Sequence, residues 1–206
     1  NAKGLAWFNG VNWQAAPHYD QLGNLNNFQV TEMEQGGNQF CLRTQGNPLD
    51  ASKYWTNLVC YDGSNWVGEN RAPISNVIQT IATYQGKVIH GGDFNNIGDK
   101  KSEFIAAYNG QAWEDISELA WTGSGQGHVS HLQVYNNELY ATGTFNQANG
   151  VPVNGIAKYD GSHWVPVTNG LNAYNSLMTV WNGKLILNTF HNGLGPIISW
   201  DGSQID

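Results

Sequence analysis

Tyr61-Asp62-Gly63-Ser64-Asn65-Trp66 returns as Tyr108-Asn109-Gly110-Gln111-Ala112-Trp113 and as Tyr159-Asp160-Gly161-Ser162-His163-Trp164. It stands earlier as Phe8-Asn9-Gly10-Val11-Asn12-Trp13 and, cut short, at the end as Trp200-Asp201-Gly202-Ser203-Gln204-Ile205. A motif repeated in this way decides architecture before any single residue is weighed. Each copy sets an aromatic residue before Asp-Gly or Asn-Gly and usually a Trp after it, the pattern of two antiparallel strands joined by a tight turn. Asp and Asn tolerate positive φ and Gly adopts it freely, so the pair predicts a type I′ turn.

A second hairpin signal alternates with the first: Gln35-Gly36-Gly37, Tyr84-Gln85-Gly86-Lys87, Tyr135-Asn136-Asn137-Glu138 and Trp181-Asn182-Gly183-Lys184, each between β-branched and aromatic runs. The two signals together make a unit of four strands. In the clearest unit they are predicted over Val129 to Val134, Glu138 to Phe145, Gly155 to Tyr159 and His163 to Val167. The step is roughly 50 residues, no amphipathic helical stretch intervenes, and the expected fold is an all-β propeller of four-stranded antiparallel blades. A parallel β-helix also repeats, but its rungs are much shorter and tight two-residue hairpins are foreign to it.

The reading is of one domain over 1–206, with units at about 1–16 (partial), 24–70, 74–118, 128–169 and 176–206. Four to five blade positions are represented. The chain opens on third and fourth strands and closes on a first, a second, a third and a stub of a fourth. Both ends thus supply a third strand: either the N-terminal pair packs unusually or the chain is part of a longer propeller, and the missing initiator Met and the end inside a hairpin favour a processed or partial chain.

The stretch Leu139-Tyr140-Ala141-Thr142-Gly143-Thr144-Phe145, followed by Ile156-Ala157-Lys158-Tyr159-Asp160-Gly161-Ser162-His163-Trp164, resembles a kelch-like blade, and His90-Gly91-Gly92-Asp93-Phe94 carries the double glycine. The repeats are most similar to those of secreted and cell-surface proteins, including the fungal cortical-marker type. The resemblance covers nearly the whole chain and departs from the pattern at Leu42-Arg43 and at Ile205. It implies a fold and says little of function, because propellers host binding, scaffolding and catalysis alike.

Composition narrows the partners. The 206 residues carry a formal charge of −7 with 9 Lys plus Arg, which leaves no basic stripe for phosphates, so nucleic acid and anionic membranes are not expected. No apolar run approaches the roughly 20 residues of a membrane-spanning helix. Cys41 and Cys60 fall on adjacent antiparallel strands, within reach of a disulfide, and alignment sets them beside Ala141 and Lys158. A bridge fits a secreted or cell-surface protein; two buried thiols fit a cytosolic one. No zinc spacing is present, and no cofactor is expected.

Consecutive strands alternate direction, so both tight turns of each unit lie at one end and every long connection at the other. Loops that vary while the scaffold repeats are where binding residues are carried. The recurring Trp13, Trp66, Trp113 and Trp164, with Tyr61, Tyr108 and Tyr159, are read as wedges between neighbouring sheets. Tyr19, Trp55, Trp121 and Tyr174 lie in long loops without repeat counterparts, as does Tyr54. With Asp93 and His191 they form the candidate ligand site, because sugar rings stack their C–H faces on aromatics while polar side chains meet the hydroxyls.

The expected function is a non-catalytic extracellular module recognising a glycan or another extracellular ligand at the long-loop end. The alternative is a structural or protein-interaction propeller within a larger adhesin or extracellular assembly, and the partners expected are a glycan, an extracellular protein, or further copies or a larger parent chain. A carbohydrate-active enzyme is the weaker alternative; it would need a carboxylate pair drawn from Asp20, Asp50, Asp93 and Asp99. The loop from Asp93 to Asp99 is faintly similar to a calcium loop but has Ile97 where an oxygen ligand belongs. Glu114, Asp115, Glu118 and His163 are read as solvated, and His90 as a packed interior histidine. His128 and His131, three apart on a strand, are expected on opposite faces and so not as joint metal ligands.

Overall fold

The computed structural model describes residues 5–18, 29–36, 39–45, 58–68, 77–97, 100–167, 171–174, 176–189 and 195–205. They are all-β, with no helix. The strands are β1 (Ala6–Phe8), β2 (Trp13–Ala15), β3 (Gln29–Gly36), β4 (Gln39–Gln45), β5 (Leu58–Tyr61), β6 (Trp66–Gly68), β7 (Ile78–Tyr84), β8 (Lys87–Gly92), β9 (Asn96–Ile97), β10 (Lys100–Lys101) and β11 (Ile105–Tyr108). They continue as β12 (Trp113–Asp115), β13 (Leu119–Ala120), β14 (His128–Tyr135), β15 (Glu138–Thr144), β16 (Gln147–Ala148), β17 (Val151–Pro152), β18 (Ile156–Tyr159), β19 (Trp164–Pro166), β20 (Met178–Trp181), β21 (Lys184–Leu187) and β22 (Ile198–Trp200).

Three sheets have the order first-second-third-fourth strand: β3-β4-β5-β6, β7-β8-β11-β12 and β14-β15-β18-β19. A fourth, β20-β21-β22, gains a single bridge from Trp200 to Ile205 where a fourth strand would run. Every pairing is antiparallel, as the hairpin signals require. The first strands lie side by side, β3 against β7, β7 against β14 and β14 against β20.

The core is divided among the seams between sheets. Cys41, Leu58 and Cys60 meet Ile78, Ile81 and Val88 in the first seam. Ala82, Tyr84 and Ile89 meet Leu132, Leu139 and Trp164 in the second. Tyr135, Tyr140 and Ile156 meet Met178, Leu185 and Leu187 in the third. A sheet covered on both faces needs apolar residues at successive positions, which is why β8 and β15 do not alternate cleanly.

Polar bonds recur in each seam at one register. Glu32 Oε2 accepts the Ile81 N–H (2.8 Å), Thr80 Oγ1 accepts the Leu132 N–H (3.3 Å), and His131 Nε2 lies 2.8 Å from the Met178 carbonyl oxygen. The aromatic that ends a first strand bonds the next tight turn: Tyr84 Oη donates to the Asn137 carbonyl and Tyr135 Oη to that of Gly183. Trp66 Nε1 donates to Pro17 O and Trp164 Nε1 to Ile116 O, both 2.8 Å, so these two motif tryptophans do wedge between units. Trp113 packs edge-on against His90, whereas Trp13 is exposed.

Several expectations are corrected. The type I′ turn belongs to the other hairpin, where Gln85-Gly86, Asn136-Asn137 and Asn182-Gly183 all have positive φ and two residues join the strands. At Asp-Gly the loop has four residues, because Tyr61 pairs with Trp66, and only the Gly is left-handed. There the Asp62 Oδ1 accepts the N–H groups of Ser64 and Asn65 at 2.8 Å, as Asn9, Asn109, Asp160 and Asp201 do in their own copies. The acidic or amide side chain therefore acts as a local cap on the turn.

Cys41 and Cys60 are disulfide-bonded and directly opposed in the ladder. The β4 register places Cys41 level with Tyr140, one residue from the expected Ala141, and it is His90 that stands level with Ala141. Each full first strand carries one extra residue, Thr31, Gln79 or Ser130, as a β-bulge. With Ser130 bulged out, His128 pairs with Thr144 and His131 with Thr142, so the two histidines share a face; the opposite-face expectation fails because a bulge resets the alternation.

Candidate functional site

Some of the long connections carry strands of their own among the described residues. The connection before β14 and the connection after β15 pair with each other as a small sheet, β13-β16-β17. Asn146 ties this sheet to the main one: its N–H donates to Ala120 O, its Oδ1 accepts the Thr122 N–H, and its Nδ2 donates to Thr122 Oγ1. Asn149 N donates to Glu118 O across the same junction.

This platform carries Trp121. Its indole folds back over Gly123, where any Cβ would collide with the ring, and its Nε1 donates to Ser124 O at 3.3 Å. Tyr174 arrives from the connection that follows β19 and rests on the backbone of Gly155. The two rings stand edge to face with centroids 6.3 Å apart and planes at 79°, a geometry aromatic quadrupoles favour. Two candidate aromatics from loops flanking one four-stranded sheet therefore form one corner, with both rings part-exposed.

Phe104 and Gly155 occupy equivalent positions just before the third strands, at φ 67° and 71°. The left-handed conformation suits Gly155, over which Tyr174 lies. At Phe104 the conformation is strained, and its ring is instead laid against Gly127 beside Trp121.

Asp93 has a structural assignment. Its Oδ1 accepts the Val77 N–H at 2.9 Å, its N–H donates to Val77 O, and its carbonyl accepts Gln126 Nε2 at 3.0 Å. It thereby closes the open end of the β7–β8 hairpin and holds the loop that carries Trp121. The following turn is a hairpin, β9–β10, anchored by the buried Phe94 and Ile97. Tyr19, Tyr54, Trp55 and His191, with Asp20, Asp50 and Asp99, lie outside the described residues. Among the described residues no three His, Cys, Asp or Glu side chains gather as a metal site.

Recesses occur at the opposite, tight-turn end, which loop reasoning passed over. One of about 50 Å³ is lined by Tyr84, Lys87, Glu114 and Tyr159, and one of about 220 Å³ by Asp115, Ser117, Glu118, Tyr159 and Ser162. Both sit in the seam between the second and third sheets. Their carboxylates, expected to be solvated, are engaged. Glu114 bonds Lys87 and Asn109, whose hydrogen bonds hold its carboxyl below the usual range. Asp115 accepts from Ser102 and Ser117.

Glu118 joins His163 Nδ1 (2.8 Å) to the Trp164 N–H (2.7 Å), clamping the connection after β12 to the next unit's turn. That bond raises the His163 pKa above its ordinary value. The partner of Glu118 lies 45 residues away, so only the repeat register could have exposed the clamp.

His90 is wholly buried in the first seam, edge-on to Trp113 with centroids 4.8 Å apart, and neither ring nitrogen has a hydrogen-bonding partner. Burial pushes its pKa down to about 3, opposed by the Val88 backbone, which lies outside hydrogen-bonding geometry. It is a neutral packing group.

Searches against models of known families and against curated proteins find no match to this chain.

Proposed function

We propose that the chain is a kelch-like β-propeller or an arc of one, secreted or displayed at the cell surface, and that it binds a glycan or a similar polar ligand at the long-loop end without catalysing a reaction. The observation that carries the site is the Trp121–Tyr174 corner, built from two non-repeating loops beside a small sheet that Asn146 bonds to Thr122. A part-exposed aromatic pair offers ring surface to the C–H face of a sugar, and Thr122, next to Trp121 and bonded to Asn146, and Gln126 of the same loop supply polar groups. The Cys41–Cys60 bond supports an oxidising compartment. The four-stranded sheets with abutting first strands support the propeller.

A glycan array tests this. Binding of the wild-type protein to a defined set of sugars, lost in Trp121→Ala and Tyr174→Ala, is the expected result, and a blank array for correctly folded protein contradicts it. Interaction with another protein is the second reading, favoured by the exposed Trp7, Phe8 and Trp13 of the first hairpin.

A further inference from the structure

The first hairpin, β1–β2, has the register of a third and fourth strand. Phe8 pairs with Trp13 as Tyr61 pairs with Trp66, Tyr108 with Trp113 and Tyr159 with Trp164. It also docks as such a pair, since Ala16 packs with Leu42, Val59 and Trp66, and the Pro17 carbonyl takes the Trp66 indole N–H. Each later third strand pairs on its other edge with a second strand: β5 with β4, β11 with β8, β18 with β15 and β22 with β21. Among the described residues β1 pairs with β2 alone. Ala6 is accordingly exposed, while Val59, Ala106, Ala157 and Ile198 at the same register are buried.

The neighbouring first strand is open on the same side. Met33 is 57% exposed, whereas Ile81, Leu132 and Met178 at its register are 3%, 4% and 4% exposed under the preceding sheet. In each of those seams the preceding first strand sends one polar side chain, Glu32, Thr80 or His131, onto the backbone of the covered residue.

We infer that the free edge of β1, together with the Met33 face of β3, is a docking groove for a single β-hairpin of this same repeat. Its second strand adds to β1 by strand addition. Its first strand covers Met33 and places an oxygen-bearing side chain over the Met33 backbone. The occupant is specified by continuity with three seams of one design: it needs the apolar spacing of β7–β8 and a residue with the chemistry of Thr80 at the same register. A second copy of the whole chain fits poorly, because its own second strands are already paired to β5, β11, β18 and β22.

The opposite end of the chain is open as well. Trp181 is 70% exposed, while Tyr84 and Tyr135 at its register are 6% and 4% exposed beneath the following unit. In a closed ring the same hairpin covers Trp181 with its other face; this part rests on the propeller reading and has its own readout below.

The probe is a synthetic peptide of residues 77–94, which contains β7 and β8, titrated into the intact chain. The expected result is a 1:1 complex in which the amides of Ala6 and Phe8, which point away from β2, gain at least about tenfold protection from hydrogen exchange. Met33→Glu in the chain and Thr80→Val in the peptide each weaken binding at least about tenfold. Unchanged exchange at β1 under saturating peptide overturns the proposal. So does β1 protection that appears in the chain alone and rises with its concentration, since a second copy would then be the occupant. The Trp181 indole N–H signal in NMR reads the ring separately: protection of β1 without a change at Trp181 upholds the docking groove and removes the ring closure.

Discussion

The phenol of Tyr84 and the carbonyl of Asn137 meet at 3.2 Å across the seam between the second and third sheets, and one unit later Tyr135 bonds Gly183 in the same manner. The last residue of one first strand is thus fastened to the tight turn of the next, so hydrogen bonds as well as apolar contacts set the pitch between units. Tyr84→Phe and Tyr135→Phe keep the ring and remove the bond. Each should cost about 1 kcal/mol, read as a shift in the urea midpoint with unchanged slope. No shift in either variant would assign the pitch to apolar packing alone.

The same motif position should give very different energetics in two copies. Trp164 is fully buried with its N–H on Ile116, while Trp13 is 72% exposed. Trp164→Ala should cost about 3–5 kcal/mol, and Trp13→Ala less than about 0.5 kcal/mol. Equal losses would show that burial in the seams does not govern stability.

His90 predicts acid sensitivity. Its folded pKa, pushed to about 3, lies below the ordinary value of 6.5. The unfolded chain therefore binds the extra proton first, and stability falls as pH drops from 6.5 towards 3, by about 1.4 kcal/mol per unit at the steepest. His90→Leu, which copies Leu42 and Leu187 at the same register, should remove that slope and leave neutral stability equal or higher. His163 has the opposite sign: its raised pKa means that its contribution is present below 6.5 and fades as pH rises through the folded value. An NMR titration should find His163 above 6.5 and His90 neutral down to about 3. An ordinary midpoint for His90 would show that water reaches the first seam.

Breaking the Cys41–Cys60 bond releases a loop of 19 residues in the unfolded chain. Cys41→Ala with Cys60→Ala should destabilise the protein by about 2–4 kcal/mol. Reductant should lower the melting temperature of the wild type and leave the double variant unchanged. A wild type indifferent to reductant would mean that the bridge contributes nothing.

Much of the fold was legible because the repeat constrains backbone chemistry. Asp-Gly and Asn-Gly marked one turn of every unit, and the predicted strands of the third unit lie within a residue or so of β14, β15, β18 and β19. Three features were illegible for physical reasons. The bulges at Thr31, Gln79 and Ser130 depend on the partner strand, and Thr, Gln and Ser share no local signature. The β13-β16-β17 sheet joins two loops whose pairing is made in space. Glu118 reads as an ordinary exposed acid until the next unit brings Trp164 to it. Of the candidate site, Trp121 and Tyr174 come together, and Asp93 turns out to brace the loop beneath them.

The most direct test of the account is a heteronuclear NMR titration that follows the backbone amide and tryptophan side-chain N–H signals as a panel of oligosaccharides is added. The account predicts saturable shifts of the Trp121 indole signal with at least one sugar, abolished by Tyr174→Ala, while the signals of Trp13 and Trp164 stay fixed. Saturable sugar binding that leaves Trp121 unmoved and instead shifts Tyr159 and His163, at the tight-turn recess, would contradict it.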